Sequence, residues 1–451
     1  MFGNFYICNL FFNLKTLMEN KQKVAFYTLG CKLNFSETST ISRLFNSEIY
    51  DSVSFDSQAD IVVINTCTVT ATADKKCRQI IRKAIKTSPY GIIVVIGCYA
   101  QLKPNQIAKI EGVDIILGTN EKLNIIEYLQ KYEKQQSANI HSCETNEISE
   151  IFPAYSIADR TRSFLKIQDG CNYECSYCTI PMARGKSRNV SIDKIIEQVR
   201  NIAMADVKEI VLTGVNIGDF GYSSNETFLE LIKKLDDISG IERYRISSIE
   251  PNLLTDEIIE FVGKSKKFVP HFHIPLQSGS DSILKLMSRR YNTQLFSKRV
   301  EKINNTIENV CIGVDVIVGF PSEEEAEFLE TFNYLRDLNI SYLLVFSYSE
   351  RENTKSVDLP GKVSKADIQR RSKALHNLSA TKKLNFYNKN LGTKKLVLFE
   401  NHTLNKKLFG FTENYVKLEI DFDEKYKNQL INFELQNINK NGNVEGKIIE
   451  N

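Results

Sequence analysis

Cys171, Cys175 and Cys178 form a C-x3-C-x2-C triplet in the run Gly170-Cys-Asn-Tyr-Glu-Cys-Ser-Tyr-Cys-Thr, just after the apolar stretch Phe164-Leu165-Lys166-Ile167. Three thiols so close in sequence can wrap one metal centre. A cubane cluster has four irons, so three protein ligands leave one iron open to bind something that reacts. Zinc would want a fourth ligand, usually from a second C-x2-C pair, and no such pair follows. The triplet therefore reads as an iron–sulfur site on a loop that follows a strand.

The chain has 451 residues, enough for two to four domains. At 42% hydrophobic and 25% charged it has an ordinary soluble composition. Net charge is only +3, so any nucleic-acid surface must be a local patch. Ten cysteines, several of them clustered, read as metal ligands in a reducing compartment, not as a disulfide framework. No apolar run reaches the roughly 18 residues of a membrane span, so a cytoplasmic protein with no membrane partner is expected. Residues 1–17 are apolar and aromatic but lack a basic start and a small-residue cleavage site. The expected start is Met18, which opens Met-Glu-Asn-Lys-Gln-Lys, with residues 1–21 a non-native or disordered extension in which Cys8 has no role. A short signal peptide is the alternative, and iron–sulfur chemistry argues against export.

Short apolar runs at 24–29, 61–64, 92–96 and 113–117 alternate with helical patterns. This predicts a parallel α/β domain over residues 22–135. Residues 136–160 are polar and weakly patterned and read as a linker. Over 161–385 the alternation restarts, with strands expected at 164–168, 209–213, 243–248, 271–275, 313–318 and 342–347. Six βα units make an open barrel plausible, although the pattern alone leaves a doubly wound sheet open. From about 392 short alternating strands predict a small all-β module, placed within 386–451.

A second set of cysteines stands at strand ends. Cys31 closes Tyr27-Thr-Leu-Gly-Cys, Cys67 closes Val63-Ile-Asn-Thr-Cys and Cys98 closes Val95-Ile-Gly-Cys. Residues past the carboxyl ends of parallel strands gather at one edge of the sheet, where ligands bind. Three thiols from three strands can converge there, again leaving one iron open. Cys77 (mid-helix) and Cys311 (a strand start) read as structural, and Cys143 as a bystander.

The triplet resembles the signature of the radical S-adenosylmethionine (SAM) enzymes. In those enzymes the open iron chelates the amino and carboxylate groups of SAM, and the reduced cluster splits SAM to a 5′-deoxyadenosyl radical. Gly30-Cys-Lys-Leu-Asn, Asn65-Thr-Cys-Thr-Val and Gly97-Cys-Tyr-Ala-Gln resemble the N-terminal motifs of the methylthiotransferases. So do Ala183-Arg-Gly-Lys-Ser-Arg, Ser247-Ser-Ile-Glu-Pro, His273-Ile-Pro-Leu-Gln-Ser-Gly-Ser and Val318-Gly-Phe-Pro-Ser-Glu. Gly410-Phe-Thr-Glu-Asn-Tyr resembles the TRAM domain, an RNA-binding β-barrel. The resemblance spans residues 22–430. It implies an N-terminal α/β domain, a partial (β/α)6 barrel and a TRAM-like module. It also implies two [4Fe–4S] clusters, one on Cys171, Cys175 and Cys178 and an auxiliary one on Cys31, Cys67 and Cys98, and two molecules of SAM per turnover.

Among the branches of that family, Tyr27-Thr-Leu-Gly-Cys-Lys-Leu-Asn and Thr66-Cys-Thr-Val-Thr-Ala-Thr-Ala-Asp-Lys-Lys look most like the one that modifies N6-threonylcarbamoyladenosine in tRNA. Isopentenyladenosine in tRNA and a ribosomal-protein aspartate are the alternatives, and a noncatalytic iron–sulfur RNA-binding protein is the alternative outside enzymes. The implied partners are a tRNA anticodon stem-loop, an electron-donor protein and a sulfur source. Tyr177 matches an aromatic position near the adenine of SAM. Thr213, Gly214, Ser248, Glu250, Gln277 and Ser278 end barrel strands, where such enzymes place ligands, and are expected SAM contacts. Glu250 and Arg245 are alternatively a structural ion pair, while His271 and His273 share one face of a strand and read as packed. Arg184, Lys186 and Arg188 are expected at RNA phosphate. From Phe386 onward there are ten Lys against nine Asp and Glu, so the RNA role of the last module rests on resemblance and not on charge. Two departures concern loops: Ser322-Glu-Glu replaces Gly-Glu-Thr, and Asn353 stands where a glycine is common. Asn tolerates a left-handed turn best among the other residues, so that loop is expected to survive.

Overall fold

The computed structural model describes residues 21–135, 137–148, 151–157 and 160–449. Residues 1–17 and Cys8 lie outside them. The chain divides into two compact units, residues 1–150 with 182–185, and residues 151–181 with 186–451.

In the first unit, β1 (Gln22–Thr28), β2 (Tyr50–Val53), β3 (Ile61–Thr66), β4 (Ile92–Gly97), β5 (Ile115–Leu117) and β6 (Asn139–His141) form one sheet in the order β2-β1-β3-β4-β5-β6. All pairings are parallel. All six residues of β3 are buried, as suits a strand of β-branched residues covered on both faces. One face carries α1 (Lys32–Ser42), whose Ile41 packs with Val24, Val63 and Val94. The other carries α2 (Ala71–Thr87), whose Cys77, Ile81 and Ala84 pack on Val62, Ile64 and Val95. Thr70 starts α2 by accepting the Ala73 amide at 3.1 Å. Strand order reverses between β1 and β3, so the carboxyl ends of these two flank a topological switch point, where open α/β sheets bind ligands.

The edge strands β2 and β6 have no counterpart among the expected apolar runs. Both are short and polar, as edges commonly are. β6, with β7 (Ala154–Tyr155), gives regular structure to the stretch read as a linker.

In the second unit β8 (Arg162–Lys166), β11 (Glu209–Thr213) and β12 (Arg243–Ile246) are parallel neighbours, as are β13 (His271–Gln277), β14 (Cys311–Val318) and β15 (Tyr342–Ser347). Parallel bridges Tyr244–Phe268 and Ser248–His273 join the two sets. The result is six βα units in chain order, an open barrel; among the described residues β15 does not pair with β8. Leu165, Leu212, Ile246, Ile274, Val314 and Val316 belong to the core under the helices. The alternate residues, Lys166, Thr213, Arg245, His273 and Asp315 among them, therefore point to the barrel interior. A small ladder pairs β9 (Gln168–Asp169) with β10 (Arg188–Asn189).

Helix α3 (Lys365–Asn390) leads into a closed five-strand barrel of β16 (Lys394–Leu404), β17 (Lys407–Thr412), β18 (Lys417–Asp421), β19 (Leu430–Ile438) and β20 (Val444–Ile448). It is filled by Val397, Phe399, Leu408, Leu418, Phe433 and Leu435. This module caps the amino ends of the large-barrel strands. Arg243 pairs with Glu413 at 3.8 Å and donates to the Leu396 carbonyl. Tyr415 lies 4.7 Å from the His271 ring, and Asn414 donates to the Asn309 carbonyl at 2.9 Å. The carboxyl ends are left to the other face.

Candidate metal centres

Register brings the strand-end cysteines of the first unit together. Thr28 pairs with Asn65, and Thr66 with Gly97. Cys67 and Cys98 each follow directly on one rung, on strands about 4.8 Å apart. The turn before Cys31 closes on Cys67. Gly30 has φ +107°, and a Cβ there would lie 2.8 Å from the Cys67 Cβ and 3.2 Å from its Sγ, so only glycine fits. Asn34 then clamps the strand ends: its Nδ2 donates to the Leu29 carbonyl at 2.9 Å and to the Thr66 carbonyl at 3.0 Å. The Cys31 thiol points to the Asn34 Oδ1 at 3.8 Å.

The thiols act on one another. Burial, reinforced by Cys98 and Cys31, pushes Cys67 up to about 12. Burial raises Cys98 as well, against the pull of the Arg184 guanidinium, and Cys31 adds to the rise. Three such thiols ionise together only beside a cation, so iron binding here would release protons. Three soft sulfur donors suit a cluster. Among the described residues no three His, Cys, Asp or Glu side chains gather for a single metal ion; the ligands of a cubane bind different irons and need a wider spread. Cys77 is buried beneath this site and donates to the Cys67 carbonyl at 3.2 Å. Cys143 accepts from Asn120 at 3.3 Å, and Cys311 is buried at the start of β14.

Arg184 is a correction. Its guanidinium is buried and donates to the Glu37 Oε1 at 3.0 Å and the Asn34 Oδ1 at 2.7 Å. Pairing with a buried carboxylate takes it away from RNA phosphate. Lys122 joins the same carboxylate at 2.8 Å. Neither Glu37 nor Lys122 stood out in the sequence, where each reads as an ordinary charge on a helix. Lys186 is exposed, whereas Arg188 is mostly buried and donates to the Lys186 carbonyl at 2.5 Å.

In the second unit the triplet forms the loop after β9. Gly170, at φ +71°, turns the chain into it. The Cys178 amide donates to the Cys175 carbonyl at 3.0 Å, and the Tyr173 amide to the Cys171 Sγ at 3.4 Å. Burial raises Cys171 to about 11 and Cys178 to about 12, with Cys175 adding to both. Arg289 donates to the Cys175 Sγ at 3.0 Å and pairs with Glu250. Glu250 therefore belongs to Arg289, not to Arg245, which pairs with Glu209 at 2.8 Å. Tyr177 packs edge-on to Phe320 at 6.2 Å.

The remaining expected contacts lie at the carboxyl ends of the strands. Thr213 is buried and donates to the Leu165 carbonyl at 3.0 Å. A Cβ on Gly214 would lie 2.7 Å from Ile217 and 2.8 Å from the Gln168 Oε1. Ser248 bridges to His273, whose Nε2 lies 2.7 Å from the Asp315 Oδ1. His271 meets the Tyr342 hydroxyl at 3.1 Å. Gln277 holds φ +71° at a register shift in β13, a strained backbone of the kind that collects at functional sites. Ser278 is buried against Thr331 at 3.2 Å. Sequence reasoning passed over Asn216. It is 3% exposed, yet neither atom of its amide has a partner. A buried orphan amide at a strand end fits a polar ligand. Its one signal was its place directly after Thr213-Gly214.

Residues 23–118 match the family model described as uncharacterized protein family UPF0004, and residues 165–335 that of the Radical SAM superfamily. A threonylcarbamoyladenosine tRNA methylthiotransferase MtaB of Bacillus subtilis (strain 168) is 40% identical over 412 residues, 88% of this chain and 89% of that protein. The chain belongs to the radical SAM methylthiotransferase family, in its MtaB branch. The MtaB of Aquifex aeolicus (strain VF5) is 38% identical, over 88% of this chain and 96% of its own. A putative methylthiotransferase of Helicobacter pylori (strain 26695) is 33% identical over 79% of this chain and 83% of its own. Among solved structures, the radical SAM methyltransferase TsrM of Kitasatospora setae superposes with a TM-score of 0.52 over 73% of this chain and 75% of that one, at 11% identity, a likeness of fold alone. Membership in the family brings SAM and a [4Fe–4S] cluster as cofactors. Among the described residues no helix is long and apolar enough to cross a membrane.

Proposed function

We propose that this methylthiotransferase acts on N6-threonylcarbamoyladenosine next to the anticodon of tRNA, replacing the C2 hydrogen with a methylthio group. The observation that carries the reading is the second cysteine set. Cys31, Cys67 and Cys98 stand on paired strand ends at a switch point, apart in sequence from the triplet, and supply a second three-thiol site. The substrate follows the names of the MtaB relatives that align over nearly the whole chain. Cys171, Cys175 and Cys178 would hold the SAM-binding [4Fe–4S] cluster, and Cys31, Cys67 and Cys98 the auxiliary one.

An aromatic C–H is unactivated, and a side-chain base cannot replace it; SAM and the clusters, when bound, supply the radical and sulfur chemistry. The protein's part is to bind, orient and exclude water. Arg289 orients the Cys175 thiolate and neutralises Glu250 beside it. Asn216 offers its unpaired amide to the polar end of SAM, with Tyr177, Thr213, Gly214, Ser248, Glu250 and Gln277 as further contacts. Lys186 is the exposed cation for RNA phosphate, with Arg188 behind it. The C-terminal barrel, residues 386–451, acts as an RNA-binding module, the partial barrel at 161–385 as the SAM domain and residues 22–135 as the auxiliary-cluster domain. The protein would work in the cytoplasm with an electron-donor protein and a sulfur source.

Anaerobic reconstitution followed by iron counting tests the metal reading: about eight irons per chain support two cubanes and about four remove the auxiliary one. Nucleoside analysis of tRNA from a strain lacking the protein tests the substrate. Loss of 2-methylthio-N6-threonylcarbamoyladenosine supports it, and loss of the isopentenyl analogue or of neither overturns it. Binding to the anticodon stem-loop should weaken as salt rises; affinity indifferent to salt would count against an RNA substrate.

A further inference from the structure

Beside the strand-end cysteines of the first unit lies a group of charges wholly out of water. Glu37 is 0% exposed, Lys122 1% and Arg184 2%. Lys122 Nζ meets one Glu37 oxygen at 2.8 Å and Arg184 Nη1 the other at 3.0 Å. Two cations share one carboxylate, so the group carries one positive charge in excess. Burying such a set is costly unless it meets opposite charge. Arg184 also reaches the Asn34 Oδ1 at 2.7 Å, the atom that the Cys31 thiol faces. Of the charged groups acting on Cys98, Arg184 acts most strongly, and Glu37 and Lys122 follow after Cys31. The excess charge is therefore felt at the sulfurs.

Three thiolates on a cubane make an anionic site, and one more electron makes it more so. A fixed buried cation stabilises the reduced form, and in a dry surrounding it does so over several ångströms. Net charge around a cluster is one of the levers that set its potential. We propose that the buried Lys122–Glu37–Arg184 group raises the reduction potential of the auxiliary cluster. The proposal rests on the assignment of that cluster to Cys31, Cys67 and Cys98. Glu37 is the control element, since it cancels one of the two cations; Lys122 and Arg184 act through space as positioning residues of charge and touch no substrate.

The test uses the full chain with Cys171, Cys175 and Cys178 all changed to Ala, reconstituted anaerobically, so that one cluster remains. Its potential is read by titration followed by electron paramagnetic resonance. Lys122→Met, which keeps the length of the stem and removes a cation, should lower the potential. Glu37→Gln, which leaves both cations uncancelled, should raise it, and Lys122→Arg should restore the parent value. Opposite shifts from two neighbouring variants are a result that general loosening of the fold does not give. If Lys122→Met fails to hold iron, Glu37→Gln decides alone. Equal potentials, or shifts of the same sign, in variants that keep about four irons would overturn the proposal. A parent lacking iron altogether would instead sink the cluster assignment, and the proposal with it.

Discussion

Asn34 is the point at which a single side chain holds the strand ends of the first unit in place. It is 0% exposed and donates to two carbonyls, Leu29 and Thr66, while accepting from Arg184. Asn34→Ala removes two neutral hydrogen bonds, about 1 kcal/mol each, and one to a buried guanidinium, about 1.5–3 kcal/mol. The sum is about 4 kcal/mol, a large part of the ~5–15 kcal/mol that a domain has. The chain has two units, so a single global transition is the wrong readout. Hydrogen exchange on the iron-free protein reads the site locally: amides of β3 should lose protection by about a thousandfold, the factor that ~4 kcal/mol corresponds to. Iron after reconstitution should fall from about eight to about four per chain, since the turn carrying Cys31 and the end carrying Cys67 come loose together. Asn34→Asp keeps the acceptor for Arg184 but faces two carbonyl oxygens with no donor, and should cost about 2 kcal/mol. Protection of β3 within tenfold of the parent in Asn34→Ala, with eight irons retained, would refute the reasoning.

Further outcomes follow from other parts of the structure. Cys77→Ser keeps a donor toward the Cys67 carbonyl and should leave the iron count unchanged; a loss of about four irons would make Cys77 a ligand. Ser322 holds φ +66°, so Ser322→Gly should stabilise the second unit by up to about 1 kcal/mol, read in urea unfolding, less what its bond to the Pro360 carbonyl contributes. Burial works to raise Glu209, but Arg245, Arg162 and Arg243 outweigh it and bring it to about 2. A carboxylate depressed in the folded state lends stability above its ordinary range near 4.3, and that stability is lost as pH falls toward 2, here about 3 kcal/mol. Glu209→Gln should flatten that acid limb in urea unfolding followed across pH, while lowering stability at pH 7 by about 3–5 kcal/mol because two buried arginines lose their partner.

The alternation of apolar runs with helical patterns was legible because the central strands are β-branched and covered on both faces. The polar edge strands β2 and β6 were not, since an edge needs no apolar signal. Asn353 holds φ +65°, as the turn chemistry of Asn led one to expect. Ser322 takes the same left-handed region without that preference, held by its hydroxyl on the Pro360 carbonyl and its amide on the Gly361 carbonyl at 2.9 Å. Charge partners were the weakest part. Arg184 meets Glu37, 147 positions away, and Glu250 meets Arg289, 39 away; a charge in a sequence has no direction until the backbone is folded.

Covalent order alone settled which atoms are available: six thiols in two sets of three, one compact and one dispersed, and the order of the βα units that carry them. Whether the dispersed set meets was settled by strand register and by a reversal of strand order, which depend on contacts between residues far apart along the chain. The same holds for the excess positive charge beside Cys98 and for the unpaired amide of Asn216. Both exist only because packing excludes water there, and exclusion of water is a property of the folded interior, not of any residue type.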